Sequence, residues 1–315
     1  MRKLKIVFMG TPDFAVGSLS RIVNSDYELV GVVTAPDKPA GRGRKISESA
    51  VKKYALEHAI PILQPVKLRD PEFIEELKAL EANVFIVVAF RMLPEIIWKL
   101  PEYGTINLHA SLLPDYRGAA PINWAVINGE RETGVTTFYI NEKIDTGEII
   151  LQEATSIGAN ESAGGLHDRL MELGAELVLK TLTLIAKGEV ETKVQSYSKE
   201  YKTAPKIYKD SCRIVWDKGG TQVFDHIRGL SPYPGAWTRL YNGEQISEVK
   251  IFKADLQSVN HTDKPGKIYA DKKTIKVAVE NGYITLLEIQ LAGKRRMTVG
   301  ELLNGLKIDK EAHMS

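Results

Sequence analysis

One cysteine, Cys212, is too few for an internal disulfide, so no covalent staple holds this chain. A reducing compartment is the expected setting. Long apolar runs are missing as well. The longest covers residues 84–90, far short of the roughly 20 residues that a membrane helix needs. Met1-Arg2-Lys3 is basic, but the apolar run behind it, residues 6–9, is too short for a signal peptide. A soluble, cytoplasmic protein is therefore expected. Cys/His clusters with metal-ligand spacing are also missing, so neither zinc nor another metal is expected. The dinucleotide fingerprint is missing too. Gly10 and Gly17 do not fit Gly-x-Gly-x-x-Gly, which gives a nicotinamide cofactor little support.

What is present is an ordinary globular composition, 43% hydrophobic and 26% charged. A chain of 315 residues is long for one average domain, so two are expected. The net charge of +2 conceals an asymmetry: residues 187–315 carry +6 and residues 1–186 carry −4. A basic second half points to a polyanionic partner, against the plainer reading of a solvated surface.

Residues 4–9 read as a buried strand closed by Gly10, with Thr11 as a helix cap and Pro12 at the first helical position. Residues 29–34 form a second apolar run. Residues 46–58 and 71–81 read as amphipathic helices. Residues 83–89 suit the middle of a parallel sheet. A short helix near 94–100 leads to a strand at 104–109. Strands alternating with helices predict an open parallel α/β sheet, Rossmann-like in outline. A strand pair at 135–140 and 148–154 and a long helix at 163–186 complete it. Residues 188–206 are polar without a helical period and read as a linker between a domain at 1–187 and another at 207–315. In the latter, period-2 runs meet at Asn242-Gly243 and Asn281-Gly282, which are hairpin signals. Several short strands there predict a small OB-like β-barrel. No internal repeat is visible.

The stretch INLHASLLPDYRGAAPINWAV carries an amide and an imidazole two residues apart, then breaks at once into a turn. On a strand, Asn107 and His109 share one face. They fall near the carboxyl end of a parallel strand, where open α/β sheets place their sites. A lone histidine is more often a satisfied structural residue, but the neighbouring Asn and the turn favour a site. To stabilise an oxyanion, His109 benefits from a carboxylate that sets its proton. Asp145, in the Asp-Thr-Gly turn between two strands, is the candidate.

Together, Asn107, His109, the run Ser111-Leu-Leu-Pro-Asp-Tyr-Arg-Gly118 with Pro121, and Asp145-Thr-Gly147 resemble the core of the formyltetrahydrofolate-dependent formyltransferases. The resemblance implies that Asn107, His109 and Asp145 form the catalytic set. It implies 10-formyltetrahydrofolate as the formyl donor, with Ser111, Leu112, Leu113 and Pro114, and then Phe90, Arg91, Met92 and Leu93, at the folate. Arg91 departs from the small or apolar residues usual in that segment.

Three features resemble the family members that act on initiator methionyl-tRNA. Phe8-Met-Gly-Thr-Pro-Asp-Phe14 matches their start, and IRGLSPYPGAW at 227–237 matches their second domain. The run APDKPAGRGRK at 35–45 carries Lys38, Arg42, Arg44 and Lys45 among glycines, as a mobile loop able to meet phosphates. The resemblance places that loop at the tRNA acceptor end and turns Lys206, in Ala204-Pro-Lys206-Ile207, toward the catalytic domain. Lys294, Arg295 and Arg296 are candidates for tRNA backbone contacts farther away. The partners implied are a folate and a charged tRNA, with no membrane, and a monomer is expected. The alternatives are a formyltransferase acting on an amino-sugar nucleotide and a catalytically silent tRNA-binding module.

Overall fold

The computed structural model describes residues 1–40, 45–196 and 200–315. Arg42 and Arg44 of the basic run lie outside the described residues. Two compact units form, and they interleave along the chain. The first gathers Met1–Gly118, Thr133–Thr155 and His167–Thr203; the second gathers Ala119–Glu132, Ser156–Leu166 and Ala204–Ser315.

The first unit alternates β1 (Lys5–Gly10), α1 (Asp13–Val23), β2 (Glu28–Val33), the short pair β3 (Lys38–Ala40) and β4 (Lys45–Ser47), α2 (Ala50–Glu57), β5 (Ile62–Leu63), α3 (Pro71–Ala79), β6 (Val84–Val88), α4 (Glu95–Trp98) and β7 (Thr105–His109). Then follow β8 (Arg117–Gly118), α5 (Pro121–Ile127), which belongs to the second unit, β9 (Glu132–Tyr139), β10 (Ile149–Ser156) and α6 (Ala163–Lys187). Seven strands make one sheet in the order β10-β9-β7-β6-β1-β2-β5. β1, β2, β5, β6 and β7 run parallel, and β9 is antiparallel to β7.

Ile6, Val7, Phe8 and Met9 are fully buried. A central strand covered on both faces has no polar side to keep, which is why β1 reads as one apolar run. One face is closed by α3 and α4 through Phe73, Leu77 and Ile97, packed on Val7, Met9, Phe85 and Val87. Val87 pairs with Asn107, so Asn107 and His109 project to that same face. Leu108 projects to the other, against α6. A Cβ on Gly174 would sit 2.7 Å from a Leu108 methyl, so a larger residue there would have to displace the buried Leu108 side chain. Strand order reverses at β1, with β2 and β5 on one side and β6 and β7 on the other. The carboxyl ends beside that reversal are where a ligand crevice belongs.

The second unit contains β11 (Thr203–Ala204) at its border, α7 (Gly220–Gly229), β12 (Ala236–Asn242), β13 (Gln245–Ser258), β14 (Ile268–Ala270), β15 (Ile275–Val279), β16 (Gly282–Leu291), β17 (Met297–Thr298), α8 (Val299–Leu303) and β18 (His313–Met314). Its sheet runs β14-β15-β16-β13-β12-β18, with β17 on β16. The two ends meet through the Lys267–His313 bridge and the 2.8 Å bond from Met314 N–H to the Gly266 carbonyl. The result is a nearly closed antiparallel barrel around Trp216, Ile251, Ile284 and Ile289. Within this unit α5 is tied down by Asn123 Nδ2 donating to the Gly229 carbonyl (2.8 Å) and Trp124 Nε1 donating to the Pro205 carbonyl (2.8 Å).

Some local expectations fail for identifiable reasons. The first helix is capped by Pro12, not Thr11, and has no side-chain cap bond. The helix expected from residue 46 starts at Ala50, because Ser49 caps it by accepting the Lys52 N–H at 3.0 Å. Residues 45–47 pair instead with 38–40, so the flanks of the basic run are a hairpin rather than free loop. Its base is fixed by Asp37, which accepts from Gln64 Nε2 (2.9 Å) and pairs with Lys52. Among the described residues no helix is long and apolar enough to cross a membrane.

Candidate active site

His109, at the end of β7, is 6% exposed. Its Nε2 lies 2.8 Å from the Tyr116 carbonyl, so that nitrogen carries a hydrogen and donates. Its Nδ1 faces Asp145 Oδ2 at 3.8 Å, too far for a direct bond. Asp145 Oδ2 also accepts the Gly118 N–H at 2.9 Å. Tyr116 (φ +60°) and Asp145 (φ +53°) both hold left-handed backbone without being glycine. Such residues persist only where their surroundings over-determine them. Asn107 is half-buried, and among the described residues none hydrogen-bonds its carboxamide. An amide with two free donors beside an oriented imidazole and a carboxylate is equipped to hold a carbonyl oxygen that gains charge.

The turn after β7 is built from inside. Ser111 is fully buried, and its hydroxyl donates to the Asp115 carbonyl at 2.7 Å. Thr136 of β9 donates to the Ser111 carbonyl (2.7 Å) and accepts from Leu113 N–H (3.2 Å) and Gln152 Nε2 (2.9 Å). Leu113 packs with Phe138 and Ile149. The side chains of Ser111 and Leu113 thus shape the turn, while Leu112 and Pro114 are half-exposed.

Beyond β6 the chain turns at Ala89 (φ +48°) into Phe90, Arg91, Met92 and Leu93. Arg91 donates to the carbonyls of Pro65 (2.8 Å) and Val66 (3.2 Å), and burial pushes its guanidinium below its ordinary range. Leu93 is core. Phe90 is half-buried, packed against that core with the Arg91 guanidinium 5.2 Å from its ring centre, and Met92 is exposed.

The basic residues are divided between the two units. Lys38 is exposed at the start of the hairpin and Lys45 lies in β4. Exposed Lys206, in the second unit, places its ammonium 5.5 Å from the centre of the Tyr208 ring. Arg295 pairs with Glu301 at 2.7 Å, and Arg296 pairs with Glu288 and lies 4.4 Å from the Phe252 ring centre. Lys294 is exposed. Sequence reasoning passed over Thr136, Gln152 and Gln195, the polar side chains that hold these loops. Gln195 sits in a polar stretch, ETKVQSYSKE, where nothing local distinguishes it from solvated neighbours.

With this geometry in view, comparisons with known proteins are specific. Residues 4–182 match the formyl transferase family, and residues 206–307 match the formyl transferase C-terminal domain. The methionyl-tRNA formyltransferase of Flavobacterium johnsoniae is 55% identical over 312 residues, covering 99% of each chain. That of Bacteroides fragilis is 51% identical over 316 residues, covering 99% of this chain and 98% of its own. Among solved structures, the sugar 3N-formyl transferase WlaRD superposes with a TM-score of 0.66 at 22% identity, over 94% of this chain and all of that one. HypX from Aquifex aeolicus, in complex with tetrahydrofolic acid, gives a TM-score of 0.66 at 19% identity, over 98% of this chain and 49% of its own. At those identities the two structures speak for the fold, whereas the relatives above half identity speak for lineage. Matched by the family models over residues 4–182 and 206–307 and by relatives above half identity over 99% of its length, the chain belongs to the formyl transferase family, in its methionyl-tRNA formyltransferase branch.

Proposed function

We propose that this chain transfers the formyl group of 10-formyltetrahydrofolate to the α-amine of initiator methionyl-tRNA. The observation that carries the reading is the strand-end set: an unengaged Asn107 amide beside His109, whose free side faces Asp145 at 3.8 Å. An α-amine titrates at about 8 and is readily neutral for attack. Attack on the formyl carbon places negative charge on its oxygen, and Asn107 Nδ2 donates to it. His109 has committed Nε2–H to the Tyr116 carbonyl, so a proton on Nδ1 is the one available to the reacting oxygen. Asp145 faces that nitrogen at 3.8 Å and receives the amine proton through water. The tetrahedral adduct then collapses by breaking the bond between the formyl carbon and N10, and the proton passes back through water to N10 of the departing tetrahydrofolate. No covalent intermediate is required, since Cys212 lies buried in the second unit.

The test supplies 10-formyltetrahydrofolate with charged initiator tRNA, free methionine and an amino-sugar nucleotide in parallel. Formyl transfer to charged tRNA alone is expected. Transfer to the sugar nucleotide would favour the other formyltransferase chemistry, and tRNA binding without any transfer would mean a silent binding module.

Ser111, Leu112, Leu113 and Pro114, with Phe90, Arg91, Met92 and Leu93, border the folate in this reading, the first group mainly through backbone. Phe90→Ala is expected to weaken binding of a folate analogue about tenfold, a loss of about 1.4 kcal/mol. Titration calorimetry on the full chain checks this; an unchanged Kd would move the pterin elsewhere.

Lys38, Arg42, Arg44, Lys45 and Lys206 meet the tRNA in this reading. Phosphate contacts release counterions, so each cation removed is expected to flatten the log–log salt slope by about 0.7–0.9. Neutralising Lys38, Arg42, Arg44 and Lys45 together and measuring formylation across a salt series tests this. Unchanged kcat, KM and slope would leave the hairpin as solvated surface.

A further inference from the structure

The His109–Asp145 pair is braced from a segment that neither loop contains. After α6 the chain returns along the first unit, where Lys193 and Ile149 exchange two backbone bonds of 2.8 Å at the edge of β10. That anchor brings Gln195, only 3% exposed, against the turn of Asp145. Gln195 Nε2 donates to the carbonyls of Gly147 (2.7 Å) and Asp145 (3.1 Å). Its Oε1 accepts from Arg117 Nε (3.1 Å) and Nη2 (2.5 Å). A primary amide offers two N–H donors and one carbonyl with two lone pairs, and all four are used here. The next residue after Arg117 is Gly118, whose N–H holds Asp145 Oδ2 at 2.9 Å. One side chain therefore ties the loop that carries Asp145 to the loop that fixes its carboxylate. Farther along the same segment, the Lys202 carbonyl accepts the Tyr116 N–H (2.6 Å), and the Tyr116 carbonyl holds His109.

We propose that Gln195 is a positioning residue for formyl transfer, holding Asp145 in register with His109 without touching either substrate. This rests on the reading that His109 and Asp145 serve that reaction. The reason is geometric. Asp145 keeps a left-handed backbone that a non-glycine residue leaves readily, and the bonds from Gln195 fall on its own carbonyl and that of Gly147. Without them the carboxylate drifts relative to Nδ1, and a misplacement of about 1 Å costs about 10² in rate. No other residue type makes the same set of bonds. Glutamate keeps the acceptor for Arg117 but aims a carboxylate oxygen at two carbonyls. Methionine keeps the volume and loses every bond.

The test uses the full chain with Gln195→Met, Gln195→Glu, Asp145→Ala and the double variants with Asp145→Ala. Steady-state formylation of charged tRNA is expected to show kcat lowered roughly 10- to 100-fold in both Gln195 variants. KM for either substrate should stay within about threefold. Gln195→Glu retains the Arg117 bond and carries the test if Gln195→Met does not fold. In the Asp145→Ala background either Gln195 change should lower kcat by less than about twofold, because the group it positions is gone. A kcat within about twofold of wild type in folded Gln195→Glu would overturn the proposal. So would the same fractional loss with and without Asp145, since that describes a merely structural residue. An inactive wild-type chain would instead remove the functional reading, and this proposal with it.

Discussion

Asn107→Ala is expected to lower kcat by about 10²–10³ while the protein stays folded, the usual cost of one preorganised oxyanion donor. The carboxamide is half-buried and unengaged by described residues, so its removal breaks no internal bond. The loss should therefore appear in kcat and kcat/KM together, as befits a contact made mainly in the transition state. Asn107→Asp should be at least as damaging, because it sets an acceptor against an oxygen gaining negative charge. Asp145→Ala should lower kcat by at least about 10², leaving the His109 Nδ1 side without its carboxylate. Single-turnover rates with charged tRNA, alongside circular dichroism of each variant, decide the matter. Near-normal kcat in folded Asn107→Ala would take that amide out of the mechanism.

Gly147→Ala should be the most damaging single methyl in the first unit. A Cβ there would lie 1.6 Å from the Tyr139 carbonyl oxygen and 2.8 Å from its carbon. Both are backbone of β9, so neither can swing away. The strand end or the Asp145 turn must move instead. A stability loss of about 3 kcal/mol follows from such overpacking, read as a lower urea midpoint. The turn carries Asp145, so the folded fraction should also lose about 10² in turnover. Gly300→Ala is the control. Nothing lies within 4 Å of a Cβ at that helical position, and alanine there should be neutral or slightly stabilising. Equal midpoints for the two variants would show that the β9 end yields freely.

That Asn107 and His109 share a face was legible because strand parity alone puts them there, and the register of Asn107 with Val87 agrees. The parallel sheet was legible because buried strands such as residues 84–88 read as unbroken apolar runs. The barrel hairpins were legible from Asn242-Gly243 and Asn281-Gly282, but the register shifts each turn by one residue. Gly243-Glu244 lie between the paired Asn242 and Gln245, and Glu280-Asn281 between the paired Val279 and Gly282, with Gly243 (φ +59°) and Asn281 (φ +59°) taking the left-handed position. The helix α7 was not legible. Its cap is Gly219, which makes no side-chain cap bond, and no local signal marks its start. α8 did carry a signal, the Thr298–Glu301 capping box, in a helix too short for periodicity to show.

Sequence by itself determined the fold class, the strand-end placement of Asn107 and His109 and the lineage, because each rests on local spacing or on side-chain identity. Only the tertiary structure decided how the site is held. Which nitrogen of His109 is already committed depends on the Tyr116 carbonyl, and where Asp145 points depends on Gly118 N–H and Gln195. These partners lie between 7 and 50 residues away along the chain. A hydrogen bond between residues so separated leaves no periodic trace in the sequence. It exists only once the sheet has brought the loops together and burial has made an unpaired amide costly.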